Sequence, residues 1–182
     1  MIYLISDTHF QHLNIIKSCG RPFSDAEEMD RIMIENWNKT VKQNDEVYHF
    51  GDVSFGRPEV AENILHQLNG RIYLIKGNHE KTVLRKDGCR KRFEWVKDYY
   101  ELKYNNKTCV MFHYPIYSWN KSHYGSYHFF GHTHNNIQLK GRAMDVGVDN
   151  PVVNFTPISI DDAIVYLDKK FESEQIKKEI NS

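Results

Sequence analysis

Short apolar runs alternate with helical stripes through the first 76 residues. The runs at 2–5, 47–50 and 72–75 are strand-length and mostly apolar, the pattern of strands covered on both faces. Between the first two, Met29, Ile32, Met33, Trp37 and Val41 recur on one helical face, and Ser24 with Glu27 three residues on predicts a capping box at its start. Between the second and third, Val60, Ala61, Ile64, Leu65 and Leu68 form another stripe, opened by Pro58 and closed by Gly70. The order strand–helix–strand–helix–strand predicts a largely parallel sheet.

The later half reads differently. Runs at 99–104 and 108–112 flank Asn105-Asn106 and predict a hairpin. Runs at 127–130 and 143–148 predict further strands. A last helix is expected to begin at Ser159, with Asp162 completing a capping box, and to carry Ala163, Ile164 and Leu167. The mostly charged segment 171–182 is expected to fray. No internal repeat or Pro/Gly/Ser-rich linker divides the chain, so the expectation is one α/β domain over residues 1–182.

Composition narrows the class. A chain of 182 residues with 40% hydrophobic and 26% charged residues is globular. Lys+Arg and Asp+Glu are 24 each, a balance that argues against an extended nucleic-acid surface. Cys19, Cys89 and Cys109 show neither zinc-ribbon spacing nor an even disulfide framework, which favours a reducing compartment. The N-terminus lacks a basic region before its apolar run, and no apolar run reaches the ~18 residues needed to span a bilayer. A cytoplasmic protein with no membrane contact is expected; the oligomeric state is left open.

The unusual count is ten histidines. Strand-like runs end, and metal-binding side chains follow at once: Asp7 and His9, then Gly51-Asp52, then Gly77-Asn78-His79-Glu80, then His113, then Gly131-His132-Thr133-His134. In open α/β sheets the loops at the carboxyl ends of strands form the ligand crevice, so these groups are expected to meet. Asp7, His9, Asp52, Asn78, His113, His132 and His134 offer imidazole, carboxylate and amide donors without a cysteine. That set suits Mn²⁺, Fe, Zn²⁺ or Ni²⁺. It exceeds a closed four-coordinate zinc and fits two cations sharing a carboxylate. His79, beside the amide donor, is placed to act as general acid.

Asp-x-His, Gly-Asp, Gly-Asn-His-Glu, a lone His and Gly-His-x-His, in that order over residues 1 to about 150, resemble the calcineurin-like metallophosphoesterases. The stretch from Ser6 to Ile16, with Arg21-Pro22-Phe23, further resembles a subgroup of small bacterial and phage phosphoesterases. The resemblance implies a mixed β-sandwich flanked by α-helices. It implies two divalent metal ions, Mn²⁺ foremost, one held by Asp7, His9 and His134 and the other by Asn78, His113 and His132, with Asp52 bridging. His79, Asp52 and Asn78 would be the catalytic positions, and Glu80 would orient the His79 ring. The implied reaction is hydrolysis of a phosphate monoester or diester, on a small molecule or nucleotide, by in-line attack of a metal-bridging hydroxide without a phospho-enzyme. A partner-binding scaffold of the same fold and a nuclease are the alternatives. After Gly51-Asp52 the chain runs Val53-Ser54-Phe55-Gly56-Arg57, where members of the family often carry a further Asp or Arg at their own spacing.

Other residues are weaker candidates. His12, Arg21 and Arg57 are possible phosphate contacts. His49 is expected to be a satisfied core histidine or a partner of a ligand, and His66 a solvated one. His123 and His128 are weighed as pocket-lining, and Tyr114, Tyr117 and Trp119 as a wall for a nucleobase or aryl group, against a loop packing its own aromatics.

Overall fold

The computed structural model describes residues 1–180. Its strands are β1 (Ile2–Ile5), β2 (Glu46–His49), β3 (Arg71–Ile75), β4 (Phe93–Lys97), β5 (Tyr99–Tyr104), β6 (Lys107–Phe112), β7 (Tyr127–Phe130), β8 (Ala143–Asp145) and β9 (Ile158–Ser159). Its helices are α1 (Leu13–Cys19), α2 (Ala26–Thr40), α3 (Pro58–Gln67), α4 (Lys81–Arg85), α5 (Asp87–Lys91) and α6 (Ile160–Ile180).

Two sheets form. The first has the order β4-β3-β2-β1-β9, parallel except for β9; the second has the order β5-β6-β7-β8, in which the β5–β6 hairpin feeds a parallel run. The apolar run of β1 explains the layering. Tyr3 and Ile5 face a core shared with Met29, Met33 and Trp37 of α2 and with Ala61, Ile64 and Leu65 of α3. Leu4 faces the opposite core, with Tyr48 and Ile75 from its own sheet, Met111 and Phe129 from the second sheet, and Ala163 and Leu167 of α6. A strand buried on both faces has no polar position to alternate, and each large side chain removed from water there stabilises the fold by about 2 kcal/mol. The architecture is the mixed β-sandwich flanked by helices that the family resemblance implied.

Three expectations need correction. The cap of α2 is Asp25, not Ser24: Glu28 N–H donates to Asp25 Oδ1 at 2.8 Å, and the Glu28 carboxylate accepts from Ser24 N–H at 2.7 Å. Both residues are good caps, and the carboxylate gains more at the positive end of the helix. The run 143–148 is split. Its first part joins the second sheet as β8. Val146 and Val148 then pair with Ser6 of the first, Ser6 N–H donating to Val146 O at 2.9 Å and Val148 N–H to Ser6 O at 3.0 Å. The charged segment expected to fray is helical through Ile180; residues 181–182 lie outside the described residues. Lys170 donates to the Leu139 and Ala143 carbonyls, Glu174 accepts from Gly141 N–H at 2.8 Å, and the Arg142 guanidinium lies 4.2 Å over the Phe171 ring, which anchors this exposed part of α6.

The second box held: Asp162 N–H donates to Ser159 Oγ at 3.0 Å at the start of α6. The three cysteines are free, Cys89 and Cys109 in the core. Among the described residues no helix is long and apolar enough to cross a membrane.

Candidate metal centre

Each predicted donor lies just past the carboxyl end of a strand, and backbone bonds stitch those ends together. Asp7 N–H donates to Gly51 O at 3.0 Å, His9 N–H to Asp52 O at 2.9 Å, and Gly131 N–H to His113 O at 2.9 Å. Side chains cross between loops as well: Asp52 Oδ1 accepts from His79 N–H at 2.9 Å and Asp7 Oδ2 from His132 N–H at 2.9 Å. The loops from β1, β2, β3, β6 and β7 therefore meet in one place, and at five of the seven donors the backbone turns sharply. Asp7, His9, Asp52, His132 and His134 all have positive φ, between 47° and 69°. A non-glycine residue there costs on the order of 1 kcal/mol, which the surrounding fold must hold in place. Gly77 is needed for a different reason, close approach: a Cβ on it would collide with the Asp52 carboxylate and with the Glu80 carboxylate.

The donors fall into two groups. Asp7, His9 and His134 place one ligand atom each within 4.8 Å of one another, and so do Asp52, His113 and His132. Asp52 joins them, because its Oδ2 lies 3.6 Å from His9 Nε2 and 3.8 Å from His113 Nε2. Asn78 completes the second group, its Oδ1 3.0 Å from His113 Nε2.

The protonation chemistry of these groups fits cations. His113 Nδ1 lies 2.6 Å from the Phe50 carbonyl, which can only accept, so Nε2 keeps its lone pair toward Asn78 and Asp52. His134 Nδ1 likewise donates to Asp149 Oδ2 at 2.7 Å. Burial, with His134 and Arg21 close by, pushes His9 down to about 2, so its imidazole is neutral. Among the described residues, buried Asp7 Oδ1 and His9 Nε2 have no hydrogen-bond partner. Burial raises the Asp7 carboxyl well above the usual carboxylate range, and Asp145 and Asp52 raise it further. A buried carboxylate cluster with unpartnered acceptors beside neutral imidazoles is costly in an apo protein and is satisfied by bound positive charge. The residues present fit two divalent ions.

Sequence reasoning missed two carboxylates here. Asp149 bonds His134 and takes both Arg21 Nε and Arg21 Nη2 at 2.8 Å; these bonds hold its carboxyl below the usual range although burial opposes them. It follows the predicted strand 143–148, so the rule that found the other donors pointed to it. Asp145 sits inside that run, where nothing marked it. Buried, it accepts from Thr133 Oγ1 at 2.6 Å and Asn135 N–H at 3.0 Å and so shapes the 131–135 loop. Asp149→Asn is expected to weaken Mn²⁺ binding to the candidate group Asp7, His9 and His134 about 10–100-fold, as measured by calorimetric titration.

Other candidates separate. The Glu80 carboxylate does not orient the His79 ring. It is buried and ties two loops, accepting from Val53 N–H at 2.9 Å and Gly77 N–H at 2.6 Å. Burial pushes it up to about 7. Glu80→Ala leaves both donors unpaired and is expected to cost about 2–4 kcal/mol in urea unfolding. Arg21 is not a substrate cation: its buried guanidinium is spent on Asp149 and on the Asp7 and Thr8 carbonyls. Arg57 is exposed at the start of α3. His49 is a buried partner, 3.0 Å from Thr8 Oγ1 and accepting from Gly51 N–H at 3.1 Å. His128 is buried between Val110 O and Ile116 N–H, whereas His66 is exposed on α3 and His123 sits in a short 3-10 turn. The expected aromatic wall splits: Trp119 turns back to bond Ser126, Tyr117 is 94% exposed, and only Tyr114 reaches the centre, its ring 4.7 Å from that of His132. His12 does reach the mouth, its ring 4.1 Å from that of Phe55 and its Nδ1 3.4 Å from His9 Nδ1. His79 is exposed beside Phe55, ring centroids 5.0 Å apart.

The chain is similar to known proteins in sequence and fold. A protein of Methanocaldococcus jannaschii is 36% identical over 177 residues, covering 92% of each chain. The crystal structure of a protein of unknown function from Aquifex aeolicus superposes with a TM-score of 0.70 at 25% identity, covering 89% of this chain and 96% of that one. Residues 1–151 match the calcineurin-like phosphoesterase superfamily domain. With that match over most of its length, and with the donor groups its strands bring together, the chain belongs to the calcineurin-like phosphoesterase superfamily, whose chemistry is metal-dependent hydrolysis of phosphate esters.

Proposed function

We propose that this chain hydrolyses phosphate esters with two divalent ions, Mn²⁺ foremost. Asp7, His9 and His134 would hold one and Asn78, His113 and His132 the other, with Asp52 placed between the two groups. One observation carries the reading: Asp52 Oδ2 stands 3.6 Å from a donor nitrogen of one group and 3.8 Å from one of the other. Such a pair supplies Lewis acidity toward phosphoryl oxygens and lowers the pKa of water.

The chain's own residues do the rest. Asp149 and the Phe50 carbonyl keep His134 and His113 in the tautomer that presents Nε2. The buried side of the centre, Asp7, His9, Asp52 and His113, excludes bulk water, while Asn78, His79 and His132 are open to an arriving ester. His79, held through its backbone N–H to Asp52, delivers a ring proton to the leaving oxygen as water adds to phosphorus and the P–O bond breaks.

The test is hydrolysis of p-nitrophenyl phosphate and bis(p-nitrophenyl) phosphate with Mn²⁺, Fe²⁺, Zn²⁺ or Ni²⁺, with EDTA as control. Turnover lost to EDTA and restored by Mn²⁺ is expected. Two bound ions with no turnover on either ester would instead support the scaffold alternative, and failure with every metal would overturn the proposal.

A further inference from the structure

At the mouth of the centre two large rings stay exposed, one against each donor group. Phe55 is 47% exposed. Its ring lies 6.4 Å from that of His9, 5.0 Å edge-to-face from His79 and 4.1 Å in parallel stack with His12. Tyr114 is 38% exposed, its ring 4.9 Å from His113 and 4.7 Å from His132. The same Asp52 oxygen approaches His9, whose ring neighbours Phe55, and His113, whose ring neighbours Tyr114.

Neither ring is placed there for the core. Phe55 belongs to neither hydrophobic cluster, although it follows Val53, which is buried in one of them. The Phe55 backbone is fixed, its N–H donating to Phe10 O at 3.0 Å, so the exposed ring rides on a tethered strand-like segment. Charge at the mouth points the same way. Arg21, one of the two arginines weighed as phosphate contacts, is turned inward and consumed by Asp149. The exposed rings of Phe55 and Tyr114 offer apolar faces for recognition beyond the phosphoryl group.

We propose, resting on the phosphoesterase reading above, that Phe55 and Tyr114 select esters that carry a flat aromatic group, aryl or nucleobase, which lies on these rings. Stacking of one ring on an aromatic side chain commonly changes affinity by about 5–100-fold.

The test is competitive inhibition of the Mn²⁺-loaded protein by non-hydrolysable phosphonates that differ in one substituent: methylphosphonate, phenylphosphonate and a nucleoside 5′-phosphonate. The expected result is inhibition at least ~10-fold tighter by one or both aromatic compounds than by methylphosphonate. The preferred compound distinguishes an aryl from a nucleoside substrate. In Phe55→Leu, and in Tyr114→Leu as a second variant, that ratio is expected to fall toward about 2. Methylphosphonate inhibition with no aromatic preference would overturn this inference and leave the phosphoesterase reading standing. No inhibition by any phosphonate, with no turnover, would overturn that reading. A ratio that survives in both variants while turnover falls would show that the rings only buttress the histidines, and would also overturn it.

Discussion

Replacing Asp52 with Asn is expected to lower metal-dependent turnover by about 10³-fold or more and to remove at least one of the two proposed ions from the protein. The substitution is nearly isosteric. Asparagine tolerates the left-handed backbone at this position, φ 55° in the native chain, and its amide oxygen can still accept from His79 N–H. The loops therefore keep their shape while the shared negative charge is lost. That charge is buried, 2% exposed, between neutral imidazoles, where water cannot replace it. Metal analysis by mass spectrometry, turnover on bis(p-nitrophenyl) phosphate and a thermal melt separate the effects. A folded variant that retained both ions and full turnover would remove Asp52 from the bridge.

His79→Ala is expected to reduce turnover by roughly 10²–10⁴-fold on an alkyl ester while sparing metal content. The ring belongs to neither donor group, and the backbone N–H that bonds Asp52 survives the change. The loss depends on the leaving group. An alkoxide needs the proton, whereas a nitrophenolate departs without it, so the p-nitrophenyl ester is expected to lose far less. Comparing ethyl and p-nitrophenyl esters in the wild type and the variant reads this directly. An equal loss on both would mean that His79 acts on binding or shape and not as an acid.

What the chain reveals unaided follows from which interactions are local. Asp7, His9, Asp52, Asn78, His113, His132 and His134 could be proposed as one cluster because each follows an apolar run, and parallel strands bring their carboxyl ends to one edge. Layering was legible because strands covered on both sides carry no alternation. The Asp149–Arg21 pair was not, because its partners are 128 residues apart and only the folded chain brings them together. Glu80 was misjudged for a related reason. Its sequence neighbour is His79, but its bonds go to Gly77 and across to Val53 of another loop. Phe55 gave no signal, since an aromatic two residues from a buried valine has nothing in the sequence to mark it as exposed. The extension of α6 was obscured because charged residues mark solvent exposure, while the Lys170 and Glu174 bonds that hold it run to the 139–143 segment.

Crystals grown with Mn²⁺ and recorded at its absorption edge test the central claim most directly. Two anomalous peaks about 3.5–4 Å apart are expected, one among Asp7, His9 and His134 and one among Asn78, His113 and His132, with the Asp52 carboxylate between them. A single peak, or peaks away from these side chains, would contradict the account.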